Sequence, residues 1–162
     1  MEAKDSQFKA LILAAQGYLE LGMIDDASKE LDIIKTELRA ETDVLAVRID
    51  IFLATEKWDE MVAVAKLLAE REPEDANWWI QWAYAARRRT SLEAARDILW
   101  ESEGHHPRNA TIQFNLGCYE CQLGQLQESK WRLSQAIAMD KSLKMDVLDE
   151  PDLEPLWASF KV

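Results

Sequence analysis

The sequence is poor in the residues that break helices, cross-link small folds or span membranes. Only 5 Gly and 4 Pro occur among 162 residues, which is few for a protein of strands and turns. Two Cys do not provide a disulfide framework, and no run approaches the roughly 20 consecutive apolar residues of a membrane span. The polar start MEAKDSQ lacks the layout of a signal peptide. These shortages favour a soluble, helical, cytoplasmic protein.

Basic charge is also scarce. The chain has 19 Lys and Arg against 30 Asp and Glu, for a formal net charge of −11. Nucleic acids and anionic membranes are bound through cationic faces, so we expect neither as a partner. The apolar fraction of 48% argues against disorder. The length fits one domain or one short array of repeats.

A period of 34 residues runs through most of the chain. Pro73 and Pro107 are one period apart, and Gly22 and Gly124 are three periods apart. One phase of the period holds Ala15, Ile49, Ala83 and Gly117, a second holds Ala27, Met61, Ala95 and Ser129, and a third holds Leu31, Ala65, Leu99 and Leu133. The period divides the chain into a lead at 1–7, four copies at 8–41, 42–75, 76–109 and 110–143, and a C-terminal segment at 144–162.

Each copy predicts two helices joined by a short turn. In the first copy, Leu11, Ala14 and Tyr18 follow the spacing of an amphipathic helix. Gly22 then tolerates the positive φ that often ends a helix. Asp25 places negative charge at the start of the next helix, where the helix dipole favours it. Small residues in the middle of the first helix and near the start of the second allow the pair to approach closely.

This pattern resembles the tetratricopeptide repeat. The last copy carries Leu116, Gly117, Gly124, Leu133 and Ala136 in the places that the family uses, and the third carries Trp79, Ala83, Ala95 and Pro107. The first copy has Ala15, Tyr18, Gly22 and Ala27, and the second, which is the weakest, has Trp58, Asp59, Glu60 and Pro73. Met61 and Ser129 replace a small Ala, and Lys141 replaces the closing Pro. The resemblance covers residues 8–143.

The resemblance implies an all-α fold, a right-handed superhelix of antiparallel helix pairs. The C-terminal segment, with Leu153, Leu156, Trp157 and Phe160 at helical spacing, would cap the open end of the array, although a detachable recognition peptide is an alternative. In this family the first helices line a concave groove that binds peptides or partner proteins. Helical phase places the following residues in that groove: Lys9, Ile12, Gln16, Leu19, Asp50, Leu53, Asn77, Ile80, Tyr84, Arg87, Arg88, Phe114, Cys118 and Cys121.

The run Arg87-Arg88-Arg89 interrupts an acidic chain. The first two copies carry charges of −3 and −5, whereas the third carries +1. A guanidinium can grip a carboxylate through two hydrogen bonds, so Arg87 and Arg88 predict a partner with acidic as well as apolar residues. The alternative is that these arginines pair with acidic residues of the second copy.

Trp100 and Trp131 fall on the outward side of the second helices. Tryptophan is enriched in interface hot spots, so the pair could form a convex contact for a weak homodimer or a second partner. The alternative is that both are surface aromatics covered by Lys or Arg stems.

Cys118 and Cys121 form the only C-x-x-C, which out of context suggests zinc or redox chemistry. His105 and His106 lie in the preceding loop, about 12 Å from Cys118 at the rise of an α-helix, so a shared metal is not expected. The sequence has no nucleophile elbow, phosphate loop or HExxH. We therefore predict no enzyme activity, no cofactor and no metal.

The sequence is best interpreted as a non-enzymatic adaptor or scaffold that binds a peptide or partner protein in its groove. A small acidic secretion-type chaperone is an alternative, since one class of these is also built of such repeats. It is less favoured because its members have three repeats and this chain has four. A metal or redox protein based on the two Cys is the alternative from a different class.

Overall fold

The computed structural model describes the backbone of residues 2–160 and the side chains of residues 6–159. In that range it contains helices and turns and no strand. The α-helices, in chain order, are α1 (Glu2–Glu20), α2 (Ile24–Ile33), α3 (Thr42–Ala54), α4 (Trp58–Arg71), α5 (Ala76–Arg89), α6 (Leu92–Glu103), α7 (Ala110–Gln122), α8 (Leu126–Met139), α9 (Leu143–Asp149) and α10 (Glu154–Phe160). Short 3-10 turns occupy Thr36–Leu38 and Pro151–Leu153. None of the described helices is long and apolar enough to cross a membrane.

Local sequence sets where the helices begin. Asp75, Ser91 and Asn109 precede α5, α6 and α7, and each side chain accepts a hydrogen bond from a backbone N–H of the first turn. Such caps satisfy amide groups that have no partner within the helix. Helix α1 begins at Glu2, so most of the lead predicted at 1–7 is continuous with the first helix.

The turns inside the helix pairs show the 34-residue period in the backbone conformation as well as in the sequence. Gly22 and Gly124 have φ of 72° and 79°, which only glycine adopts without a steric penalty. Glu56 stands one period after Gly22 and adopts φ of 54° without being glycine. The second pair therefore keeps the turn geometry of the first although the favoured residue is missing.

Consecutive helices pack along the chain as antiparallel pairs. Helices α3, α5 and α7 begin at 42, 76 and 110, at intervals of one period. Helices α7 and α8 approach closely at Gly117, where an added Cβ would come within 2.8 Å of the Leu133 side chain. Ser129 stands where the family has Ala, and its Oγ donates to the Gly117 carbonyl at 2.6 Å. The hydroxyl that replaces the methyl group is thus hydrogen-bonded.

The core is divided along the array instead of gathered at one centre. One cluster joins α1, α2 and α3 around Leu31, a second joins α3, α4 and α5 around Met61, and a third joins α5 to α10 around Leu116. This arrangement is typical of a solenoid, in which each unit contacts only its neighbours.

The C-terminal segment packs onto the end of the third cluster. Val147, Leu153 and Leu156 are at most 4% exposed and belong to the same cluster as Leu116. Trp157 Nε1 donates to the Val147 carbonyl at 3.1 Å, which ties α10 to α9. The predicted contribution of Phe160 concerns a side chain outside the described residues. This packing supports our proposal that four repeats are followed by a cap at 144–162.

Candidate functional site

The predicted groove residues differ in how much of each side chain solvent can reach. Lys9, Gln16, Asp50, Asn77 and Arg88 are exposed, whereas Leu19, Leu53, Ile80, Tyr84 and Arg87 are half-buried. The buried members are Ile12, Phe114, Cys118 and Cys121. Phe114 and Cys121 belong to the apolar cluster that also holds Leu153 and Leu156, so the C-terminal segment shares their core.

The largest of the described pockets on this face brings together α5, α7 and the C-terminal segment. Its volume is about 600 Å³, within the range of ordinary ligand sites. Helix α5 contributes Ile80, Tyr84, Arg87 and Arg88, helix α7 contributes Asn115, Cys118 and Tyr119, and the segment contributes Glu150, Pro151 and Asp152. We call this the C-terminal pocket. Sequence reasoning placed the segment at the end of the array and missed its three pocket residues, because they lie outside the 34-residue period.

A second pocket of about 380 Å³ lies between α1 and α3. It is lined by Lys9, Ile12, Leu13, Gln16, Asp43 and Ala46. Leu13 is 67% exposed there, although it is a large apolar side chain. The structure thus brings three predicted groove residues of the first copy around one pocket and five of the third and fourth copies around another. The predicted residues that line neither of these two pockets are Leu19, Asp50, Leu53, Asn77, Phe114 and Cys121.

Arg87 is bound by the protein's own C-terminal segment. Its guanidinium forms two hydrogen bonds to the Asp152 carboxylate, one of them from Nη2 to Oδ1 at 2.8 Å. Gln122, at the end of α7, also binds Asp152: its Nε2 donates to the Asp152 carbonyl at 2.6 Å. The hydrogen bond to Asp152 raises the pKa of Arg87. Arg87 therefore fixes the wall of the pocket and does not present an unpaired charge.

Arg88 is the exposed cation of the C-terminal pocket. Its guanidinium carbon lies 3.7 Å from the centre of the Tyr84 ring and 5.3 Å from that of Trp58. The two rings contact each other edge to face at 6.2 Å between centroids. No carboxylate among residues with described side chains forms an ion pair with Arg88. Cation–π contacts hold its position while the charge stays available.

The alternative pairing with the second copy applies to one arginine of the run. Arg89, which follows Arg88, donates to the Asp59 carboxylate at the start of α4. The three consecutive arginines thus have three different environments: a carboxylate of the C-terminal segment, a pair of aromatic rings and a carboxylate of the second copy.

The thiols of Cys118 and Cys121 are free and buried. Burial raises the pKa of Cys118, and the nearby Glu150 and Asp152 carboxylates raise it further. Burial also raises the pKa of Cys121. A thiol with a raised pKa carries little thiolate, which is the form that attacks substrates or binds metals. Burial likewise raises the pKa of Tyr119 to about 12.

The histidines near this end of the molecule have structural partners. His105 stacks on Trp79 with 5.4 Å between ring centroids, and His106 Nε2 lies 2.9 Å from the Pro73 carbonyl. Within the range that the structure describes, no group of three or more His, Cys, Asp or Glu is arranged to hold a metal ion.

The two tryptophans predicted for the convex face are exposed to solvent. Trp100 on α6 is 43% exposed and Trp131 on α8 is 50% exposed. Arg96 lies over the Trp100 ring at 4.3 Å, and Arg132 lies over the Trp131 ring at 5.1 Å. Arginine guanidinium groups thus lie over both rings, which partly agrees with the alternative interpretation, and both residues stay exposed.

No protein-family model and no curated protein matches the sequence. Among solved structures the chain is similar to MamA of MSR-1, with 18% identity over 79% of this chain and 74% of that chain and a TM-score of 0.65. It is similar to MamA of AMB-1 in two crystal forms, with 18% identity, 80% and 76% coverage and a TM-score of 0.65, and with 17% identity, 87% and 77% coverage and a TM-score of 0.63. These likenesses confirm that the chain has the all-α solenoid fold of the tetratricopeptide-repeat type.

Proposed function

We propose that the chain is a non-enzymatic adaptor or scaffold that binds a peptide or partner protein along its concave groove, centred on the C-terminal pocket. The observation that carries this proposal is the pocket itself, in which an exposed guanidinium, Arg88, stands beside the half-buried Ile80 and Tyr84. A concavity in which apolar side chains stand beside a few fixed polar groups is a usual form of binding site. The MamA solenoids, which share this fold, support a role in binding over one in catalysis.

The partner segment is expected to carry apolar residues and an acidic residue. Ile80 and Tyr84 offer apolar contact, and Arg88 offers the charge. The pairing of Arg87 with Asp152 is an example within the chain of how this groove holds a carboxylate. Arg88 is therefore assigned the contact to the partner, and Arg87 the support of the wall.

A capture experiment tests the groove. Wild-type protein and the Arg88→Glu and Tyr84→Ala variants are immobilised, and proteins retained from lysate of the source cells are quantified by mass spectrometry. Arg108→Glu is the matched control, because Arg108 is exposed and does not line the C-terminal pocket. We expect both groove variants to lose a partner that the wild type and the control retain. Retention of the same proteins by all four would contradict the proposal.

The exposure of Trp100 and Trp131 supports a second, convex contact, for which we propose a weak homodimer. Light scattering over a wide concentration range measures the mass of the wild type and of the Trp100→Ala/Trp131→Ala double variant. The proposal expects the wild-type mass to rise with concentration and the variant to stay monomeric. A wild type that is monomeric at the highest concentration removes the homodimer.

A further inference from the structure

We propose that the C-terminal segment contributes a second charge to the recognition site: Glu150 binds a cationic side chain of the partner while Arg88 binds an acidic one. The partner segment is then dipolar: it carries a Lys or Arg within a few residues of an Asp or Glu, together with apolar residues. This inference rests on the proposed function of the groove and adds the charge pattern of its ligand.

Four charged side chains line the C-terminal pocket, and two of them neutralise each other. Arg87 and Asp152 form a pair through two hydrogen bonds, with their side chains 30% and 20% exposed. The remaining two are Arg88 on α5 and Glu150 on the C-terminal segment. These two belong to different elements of the pocket, α5 and the C-terminal segment, and α7 also lines it. One positive and one negative group are thus left for a ligand.

The position of Glu150 is fixed without a cation. Its Oε1 accepts a hydrogen bond from the Asp152 backbone N–H at 3.2 Å, which caps the 3-10 turn at Pro151–Leu153. The side chain is half-buried. No Lys, Arg or His with a described side chain forms an ion pair with it. A carboxylate held at a pocket wall by its own backbone is preorganised for a donor from outside the chain.

The negative charge of Glu150 acts on Cys118, a residue of α7 that lines the same pocket. Glu150 contributes to the raised pKa of Cys118, whose thiol lines the same cavity. A partner segment with acidic residues alone would satisfy Arg88 and place further negative charge near Glu150, where like charges repel. A segment that also carries a cation replaces that repulsion by attraction, so charge complementarity selects a dipolar ligand.

Six labelled peptides of equal length and apolar content serve as probes. One carries Glu alone, one Lys alone and one neither charge; the other three carry both charges, with one, two or three residues between Glu and Lys. Fluorescence anisotropy gives their affinities for the wild type, Glu150→Gln and Arg88→Gln. Asp149→Asn and Arg108→Gln are matched controls, since both side chains are exposed and neither lines the pocket. Gln at 150 keeps the oxygen that caps the turn, and thermal unfolding confirms that each variant is folded.

We expect the best dipolar peptide to bind about fivefold more tightly than the Glu peptide, the range of a partly exposed ion pair. Glu150→Gln should remove that advantage and Asp149→Asn should keep it, and added salt should reduce it. Equal affinities of the dipolar and Glu peptides for the wild type, or an advantage that survives Glu150→Gln, would overturn the inference and leave the groove intact. If none of the peptides binds, the proposed function fails at this pocket and the inference fails with it.

Discussion

The two halves of the solenoid follow the same 34-residue period, but their pockets are lined by different kinds of segment. The half formed by α1–α4 carries the charges of the two acidic copies, and its groove pocket is lined by residues of the repeat helices α1 and α3. In the half formed by α5–α10, a segment outside the period packs against the repeats and completes the C-terminal pocket. Regular repeats thus supply a concave face, and a nonrepeating segment adds a wall to part of it.

Leu153 joins that segment to the core of the repeats, and of the variants considered its truncation should have the largest effect. Its side chain is fully buried in the third cluster. We expect Leu153→Ala to lower the free energy of unfolding by about 2–5 kcal/mol, because a buried leucine is replaced by a cavity. Denaturant titration measures the loss. In the variant, hydrogen exchange should become faster in α7 and α8 than it is in the wild type and change less in α1 and α2, since coupling in a solenoid decays with distance.

The control for this prediction is Leu148→Ala. Leu148 lies in the same segment and is 50% exposed, so its truncation should change stability by less than about 0.5 kcal/mol. Equal losses in the two variants would mean that the segment is not anchored by its buried face, and the contrast between the two halves would disappear.

Two helical glycines provide the next contrast. At Gly117 in α7, an added Cβ would meet Leu133 at 2.8 Å, whereas at Gly17 in α1 nothing lies within 4 Å of it. We expect Gly117→Ala to cost about 1–2 kcal/mol, since overpacking exceeds the gain in helix propensity. Gly17→Ala should stabilise by about 0.5–1 kcal/mol through propensity alone. Thermal and denaturant unfolding measure the change in the free energy of unfolding of each variant. Changes of the same sign in both variants would contradict the close approach of α7 and α8.

Glu120 is a buried carboxyl in the C-terminal half, in the phase of the period that Tyr18 occupies in the first copy. Its side chain is 2% exposed, and Oε1 has no hydrogen-bond partner. Burial raises the pKa of Glu120, and neighbouring arginines oppose that shift only in part. The folded state therefore binds this proton more tightly than the unfolded chain does. Its contribution to stability is full below the unfolded pKa and is lost as pH rises through the folded pKa.

We expect Glu120→Gln to stabilise the protein by about 1 kcal/mol at pH 7, since it removes a buried carboxylate whose Oε1 has no hydrogen-bond partner. At pH values below the ordinary pKa of a glutamate, the variant and the wild type should be equally stable. Unfolding titrations across that pH range measure the difference. Asp50→Asn is the comparison from the N-terminal half. Partial burial also raises the pKa of Asp50, but this residue is exposed, whereas Glu120 is buried. The Asp50 variant should therefore show a smaller change in stability. A difference for Glu120→Gln that does not vary with pH would contradict the assignment.

The parts of the site that sequence could predict are those tied to the period. Ile80, Tyr84 and Arg88 follow from helical phase in one copy, because a repeat fixes which side of the first helix faces inward. The pairing of Arg87 with Asp152 joins residues 65 apart, and no periodicity relates them. The same holds for Glu150, whose place depends on how an irregular segment turns back on α7. A sequence pattern predicts the regular surface, whereas the contacts of a segment without a period depend on tertiary packing.

The Arg87–Asp152 pair gives the smallest expected effect and the closest comparison between the halves. In the N-terminal half, Arg48 Nη2 lies 2.6 Å from Asp32 Oδ1, but the Asp32 side chain is 63% exposed whereas that of Asp152 is 20% exposed. We expect Asp152→Asn to cost about 0.5–1 kcal/mol and Asp32→Asn almost nothing, because solvent screens the exposed pair. Denaturant titrations at low and high salt measure both. If the two costs are equal, or if high salt abolishes both alike, Asp152 is a surface charge and not the fixed wall of the pocket.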